Sequence, residues 1–242
     1  MTHRSQSHLL RRATAEAVGT ALLLAIVVGS GIMGDRLSGG NAAIALLANT
    51  IATGAGLVAL ILTFGPVSGA HFNPVVTVAD ASQGGLPWKA VPFYLGAQFI
   101  GAFIGVALAH LMFDLPLFSA SQQVRSGGPQ ALSEAVATFG LLAVIWGCSR
   151  RRAESTPFAV GAYITAAYWF TASTSFANPA VTLARSATNT FAGIRLMDAP
   201  YFILAQIVGA ILATLLFRWL LPGEMSVHEV PEDPPALDSK EF

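Results

Sequence analysis

Charge is what this sequence lacks most. Only 11% of its 242 residues are Asp, Glu, Lys or Arg, 54% are hydrophobic, and mean hydropathy is +0.61. Soluble domains carry about 25% charged residues, so the composition excludes a soluble enzyme with a large core and indicates a membrane protein. Net charge is zero, and no excess of one sign points to a nucleic-acid partner. The single cysteine, Cys148, excludes an intrachain disulfide and a cysteine metal cluster, and reads as a small packed residue. No nucleophile–base set, metal-ligand cluster or phosphate loop is present, so neither an enzyme nor a bound cofactor is expected. Arg4, Arg11 and Arg12 ahead of an apolar run resemble a signal peptide. That run contains Glu16, lacks a clear cleavage site and precedes further spans, so it is expected to remain as the first span.

What is present is a series of long apolar runs. A span needs roughly 20 apolar residues, and six candidates meet that need: Ala13–Met33, Ala42–Phe64, Trp88–Phe113, Gln130–Ser149, Pro157–Thr174 and Pro200–Leu221. Two runs are too short to cross, 74–82 and 179–187. The expected organisation is a cytoplasmic N-terminal tail (1–12), a first repeat of three spans and a half-helix (13–113), a polar connector (114–129), a second repeat of the same kind (130–221) and an acidic tail (222–242) expected to be disordered.

The two halves repeat. A-E-A-V-G-T at 15–20 answers S-E-A-V-A-T at 133–138, Asn73-Pro74-Val75 answers Asn178-Pro179-Ala180, and A-Q-F-I-G-A at 97–102 answers A-Q-I-V-G-A at 205–210. Each half has an odd number of spans, so the second enters the membrane from the opposite side. Such an inverted repeat is a common plan for channels and transporters, with the site near the midplane. Most basic residues (Arg4, Arg11, Arg12, Lys89, Arg150, Arg151, Arg152, Arg218, Lys240) fall on one side. The positive-inside rule then puts both termini in the cytoplasm.

The two short runs carry the chemistry. Asn is a good helix N-cap and Pro suits the first helical position. Two half-helices in inverted halves meet N-terminus to N-terminus, with the amides of Asn73 and Asn178 at the centre. That centre repels cations and orients a passing hydroxyl as an acceptor, which interrupts a proton wire. The segments before each Asn are expected to be extended. Non-helical backbone at membrane depth is tolerated only where it is buried or lines a polar cavity, so Gly69, Ala70, His71, Thr174 and Phe176 are expected to present carbonyl acceptors to a pore.

With S-G-A-H-F-N-P, A-N-P-A, the Glu-x-x-x-Thr pairs and the Ala-Gln-x-x-Gly pairs, the chain resembles the aquaporin and aquaglyceroporin family, the major intrinsic proteins, over nearly all of 13–221. The resemblance implies an all-α membrane protein: a right-handed bundle of six transmembrane helices plus two half-helices, one pore per subunit, in a homotetramer. It implies a selectivity filter at Thr53, Ser175, Val181 and one fifth-span residue. Counting from Gly161 gives Tyr168, counting back from Asn178 gives Ala166, and Tyr168 is favoured. Where the family has an arginine, this chain has Val181, and Val76 is its apolar mate in the first repeat. Without arginine's five donors and fixed charge, and without an aromatic at Thr53, the constriction is expected to be wider. The expected function is passive passage of small neutral solutes, glycerol-like or metalloid hydroxides such as trivalent arsenicals, since the pattern resembles bacterial aquaglyceroporins associated with arsenic resistance. The alternative is a water and glycerol facilitator without metalloid specificity.

Arg185 shares a helical face with Asn178 and Val181. It either brings a cation back to the outer mouth or simply offsets a helix C-terminus. Its mate Asp80 is unfavourable at such a terminus and is expected to find a backbone donor or an arginine on the cytoplasmic side. Glu16 and Glu134, within spans, are read as braces that accept bonds from the half-helix loops. Gln98 and Gln206 are read as interhelix bonds, His110 as an interfacial residue, and Gly101 with Gly105 as a close-packing cue. A coupled transporter and a closed scaffold remain the other classes. No ion-coupling charge pair in the spans favours the first, and the second would show no flux.

Overall fold

The structure is a computed structural model, and it describes residues 3–221. Eight helices account for most of those residues: α1 (His3–Leu37), α2 (Ala42–Ser68), α3 (Pro74–Ser82), α4 (Val91–Met112), α5 (Gly128–Ser149), α6 (Thr156–Phe170), α7 (Pro179–Ala184) and α8 (Ala199–Leu220). Among the described residues there is no strand. The acidic tail from 222 onward lies outside the described residues.

Five segments are long and apolar enough to cross a membrane: Ser7–Leu37, Ala42–Ser68, Trp88–Met112, Gly128–Ser149 and Ala199–Leu220. The expected span Pro157–Thr174 differs. Its helix, α6, has 15 residues, about 22 Å at a rise of 1.5 Å per residue. The cause is at its end. Thr171 turns to an extended conformation (ψ 140°), its hydroxyl bonding back to the Ala167 carbonyl at 2.6 Å, and the loop to Asn178 begins there. The second half-helix is also shorter in its α part, ending at Ala184 before a 3-10 turn over Arg185–Ala187.

The inverted repeat is visible in the packing. α1 packs on α2 and α4, and α5 packs on α6 and α8. α2 meets α6 across the halves, and each half-helix touches both α4 and α8. Every contact thus has its mate. The apolar core is exchanged between the halves. Val75, Val76 and Ala79 of α3 pack with Leu141, Leu142, Trp146 and Ile164 of the second repeat. Ala180, Val181 and Ala184 of α7 pack with Leu24, Val27, Val28 and Val106 of the first. Neither repeat completes its own core.

Small residues set how closely the helices approach. A Cβ on Gly101 would land on the Ala17 carbonyl, one on Gly105 on the Ala21 carbonyl, and one on Gly209 on the Ala135 carbonyl. Gly101 and Gly105 therefore mark the α1–α4 seam, and Gly209 its mate between α5 and α8. A Cβ on Gly161 of α6 would lie 2.5 Å from a Val58 methyl and 2.7 Å from the Gly54 carbonyl oxygen of α2. Without a bulk hydrophobic drive between helices in lipid, such close packing supplies much of the association. Gly101→Val is expected to abolish the monodisperse peak in detergent size-exclusion chromatography. Gly96→Ala, which meets open space, should leave it unchanged.

Candidate functional site

The two loops before the half-helices share one unusual backbone. Gly69, Ala70 and Phe72 have φ of 90°, 50° and 50°, and Thr174, Ser175 and Ala177 have φ of 61°, 50° and 48°. These are the same offsets from Asn73 and Asn178. Left-handed geometry costs a non-glycine residue roughly 1–2 kcal/mol, so something must hold it. The holders are carboxylates. Glu16 accepts from the backbone N–H of His71 (3.0 Å) and Phe72 (2.7 Å), the Ser68 hydroxyl (2.6 Å) and the Gln98 amide (2.8 Å). Glu134 accepts from the backbone N–H of Phe176 (2.8 Å) and Ala177 (2.8 Å) and the Gln206 amide (2.7 Å). Both carboxylates are fully buried. Gln98 and Gln206 each donate to a second acceptor, Thr77 and Thr182, at 2.8 Å. The glutamines thereby tie each half-helix to the third span of its own repeat.

The asparagines are locked the same way. Asn73 caps α3 by accepting from Val75 N–H, and Asn178 caps α7 by accepting from Ala180 and Val181 N–H. Each amide then donates to the opposite loop: Asn73 to the Ala177 carbonyl at 2.7 Å, and Asn178 to the Phe72 carbonyl at 2.8 Å. A carboxamide has two N–H donors. One is spent on the opposite loop, and the second has no hydrogen bond among the described residues.

A cavity of about 1020 Å³ runs past both asparagines. Its lining runs from Arg12, Gln83, Arg150 and Glu154 to Thr53, Tyr168, Ser175, Phe176, Val181 and Arg185. Gly69, Ala70 and His71 line it. Thr174 is not among the lining residues, and its hydroxyl takes a bond from Arg125 (3.3 Å). At the connector end Tyr168 hydroxyl meets Thr53 Oγ1 at 3.4 Å. Ser175 hydroxyl is buried and has no partner among the described residues. Ala166 is exposed on the outer face, away from the cavity.

Arg185 is 2% exposed although charged. Its guanidinium lies over the Phe176 ring, 3.4 Å from the centroid, and its Nε donates to the Ala192 carbonyl. Its symmetry mate Asp80 has a histidine partner, and among the described residues no arginine or backbone donor reaches its carboxylate: His71 Nε2 is 3.6 Å from Asp80 Oδ2. Phe176 and His71 occupy matching positions, two before each Asn. The same structural pairing thus holds an acid against an imidazole at one end and a guanidinium against an aromatic ring at the other. His110 is another correction. It is fully buried, not interfacial, because it joins the end of α4 to two loops through the Pro116 carbonyl and Thr188 Oγ1.

Arg125 was not among the residues singled out from sequence, although it is the sole basic residue in 114–129. It reaches in from the connector to the carbonyls of Ser173 (3.2 Å), Phe191 (3.4 Å) and Gly193 (2.8 Å). Its backbone N–H is held by Asp198 at 2.9 Å. Hydrogen bonds from Arg195 hold the Asp198 carboxyl below its ordinary value.

The sequence model of the major intrinsic protein family matches residues 3–175 and 150–237. The chain is 56% identical to the aquaglyceroporin AqpS of Rhizobium meliloti over 94% of this chain and 98% of that protein. It is 30% identical to a probable glycerol uptake facilitator protein of Thermotoga maritima over 85% of this chain and 97% of that one. Among solved structures it is similar to the X-ray structure of the aquaglyceroporin from Plasmodium falciparum, with TM-score 0.70, 22% identity, and coverage of 88% of this chain and 98% of that one.

Glu134→Ala would orphan two buried backbone N–H groups and one amide. At roughly 1–3 kcal/mol for each unsatisfied buried donor, the loss approaches the whole stability of a typical domain. No folded protein is expected from Glu134→Ala, while Glu134→Gln, which keeps one acceptor, should fold with a lowered melting temperature in detergent.

Proposed function

This chain belongs to the major intrinsic protein family and is a multi-span membrane channel, not an enzyme, and we propose that it passes small neutral solutes selected by their hydroxyl groups. The observation that carries this reading is the set of polar side chains at the connector end of the cavity, which we read as the constriction. Thr53, Tyr168 and the unpartnered Ser175 put three hydroxyls around one end of the cavity. Val181 contributes no donor, and Arg185 one turn beyond supplies the cation. No hydrogen bond to the terminal nitrogens of Arg185 is found among the described residues, so they are available to a solute oxygen. Leu57, Ile61, Ile145 and Val160 give the remaining wall its apolar face.

Glycerol and metalloid hydroxides fit this site for one reason. Each is neutral at physiological pH and offers several hydroxyls around a compact centre. Trivalent arsenicals are the metalloid substrates proposed. The site reads hydroxyls and not the atom that bears them, so a water and glycerol facilitator without metalloid preference is the second reading, which the name of the Thermotoga maritima relative favours. The lone amide proton of each Asn at mid-pore supports exclusion of protons and cations.

The proposed assembly is a homotetramer, each subunit with its own pore. The proposed location is a bacterial cell membrane, supported by the rhizobial relative. Both termini are assigned to the cytoplasm on the excess of Lys and Arg on that side.

Stopped-flow swelling of proteoliposomes tests the reading. Water, glycerol and arsenous acid should all permeate. Val181→Arg, which adds a second guanidinium beside Arg185, should cut glycerol and arsenous acid flux by about tenfold, the effect of about 1.4 kcal/mol at the constriction, and spare water. Wild-type protein that conducts water and excludes glycerol would overturn it.

A further inference from the structure

We infer that Arg125, in the connector outside the spans, is a positioning residue for Arg185, so that a loop on the membrane surface sets what the constriction accepts. This rests on the reading of Arg185 as the cation of the constriction.

The link is a turn. Gly193 N–H closes on the Thr190 carbonyl at 2.9 Å, and Ile194 N–H bonds to the Arg185 carbonyl at 3.3 Å. Three consecutive carbonyls of this turn are divided between two arginines. Phe191 and Gly193 accept from Arg125, and Ala192 between them accepts from Arg185 Nε. A turn leaves its carbonyls unpaired by backbone, and the planar guanidinium fork can span two of them where an ammonium cannot. The orientation of the Ala192 carbonyl, and with it the Arg185 guanidinium, is therefore set by its neighbours' bonds to Arg125.

A second contact runs through Phe176. Arg125 Cζ lies 5.1 Å from the centre of the ring on which Arg185 is stacked. Arg125 also grips the Ser173 carbonyl and the Thr174 hydroxyl at the start of the loop that carries Ser175 and Phe176. One side chain thus holds both the ring beneath Arg185 and the turn beside it. The connector is seated for this. A Cβ on Gly193 would strike Ser121, and the backbone N–H groups of Ser119 and Ser121 donate to the carbonyls of Ala187 and Ser186 at 2.9 and 3.0 Å.

The test is a double-mutant cycle read as the ratio of glycerol to water permeability in proteoliposomes, since a general loss of structure lowers both fluxes and leaves the ratio. Arg125→Gln should shift the ratio by about threefold or more, within the range of couplings between contacting residues. In an Arg185→Ala background the same substitution should leave the ratio unmoved. Arg125→Lys, which keeps the charge and loses the fork, should behave like Arg125→Gln and serves if that variant does not fold. An unchanged ratio in both Arg125 variants, an equal fall in both fluxes, or an equal shift in the Arg185→Ala background overturns the inference. An unchanged ratio in Arg185→Ala alone overturns the reading of the constriction beneath it.

Discussion

The pore depends on two carboxylates that have no business in a membrane except as acceptors. An ionisable group inside a bilayer costs several kcal/mol unless it is paired or hydrogen-bonded. Glu16 and Glu134 meet that cost by gathering donors that the chain cannot satisfy otherwise, the N–H groups at the two positions before each Asn. The left-handed residues around them forbid helix and sheet, so these donors have no backbone partner. Taking them onto a carboxylate fixes the loop. The asparagines then complete the centre, each bonded to the carbonyl just before the other. Remove either carboxylate and both loops lose their reference.

The exchange of half-helices between the repeats follows from the same geometry. Each short helix ends at mid-membrane against the opposite loop, and its apolar side fills the other repeat's core. The symmetry is close for everything structural: caps, carboxylates, glutamines, glycine seams. It breaks at the positions two before and seven after each Asn. His71 with Asp80 and Phe176 with Arg185 are mates by position and opposite in chemistry. The connector, which the first repeat has no counterpart for, reaches only the second pair.

The architecture was legible because symmetry writes it twice. Paired Asn-Pro caps, paired intramembrane acids and paired Ala-Gln-x-x-Gly stretches need no contact map, and the membrane permits few alternatives to helices. Tyr168 against Ala166 was not decidable by counting, since the answer depends on where α6 stops, and Thr171 stops it early. Asp80 found a histidine for a similar reason. It is a side-chain pairing across a loop whose backbone departs from regular periodicity. Arg125 left one faint sign, a lone arginine in a connector otherwise nearly uncharged, and nothing in its neighbours says how far it reaches.

The central claim is that the cation of this constriction comes from Arg185 and not from the position Val181 occupies. A cryo-electron microscopy structure of the protein in lipid nanodiscs with glycerol tests it most directly. The account predicts solute density within hydrogen-bond reach of the Arg185 guanidinium and the Ser175 hydroxyl, with the Phe176 ring beneath the guanidinium. Glycerol ordered only at Asn73 and Asn178, with Arg185 turned out of the cavity, would contradict it.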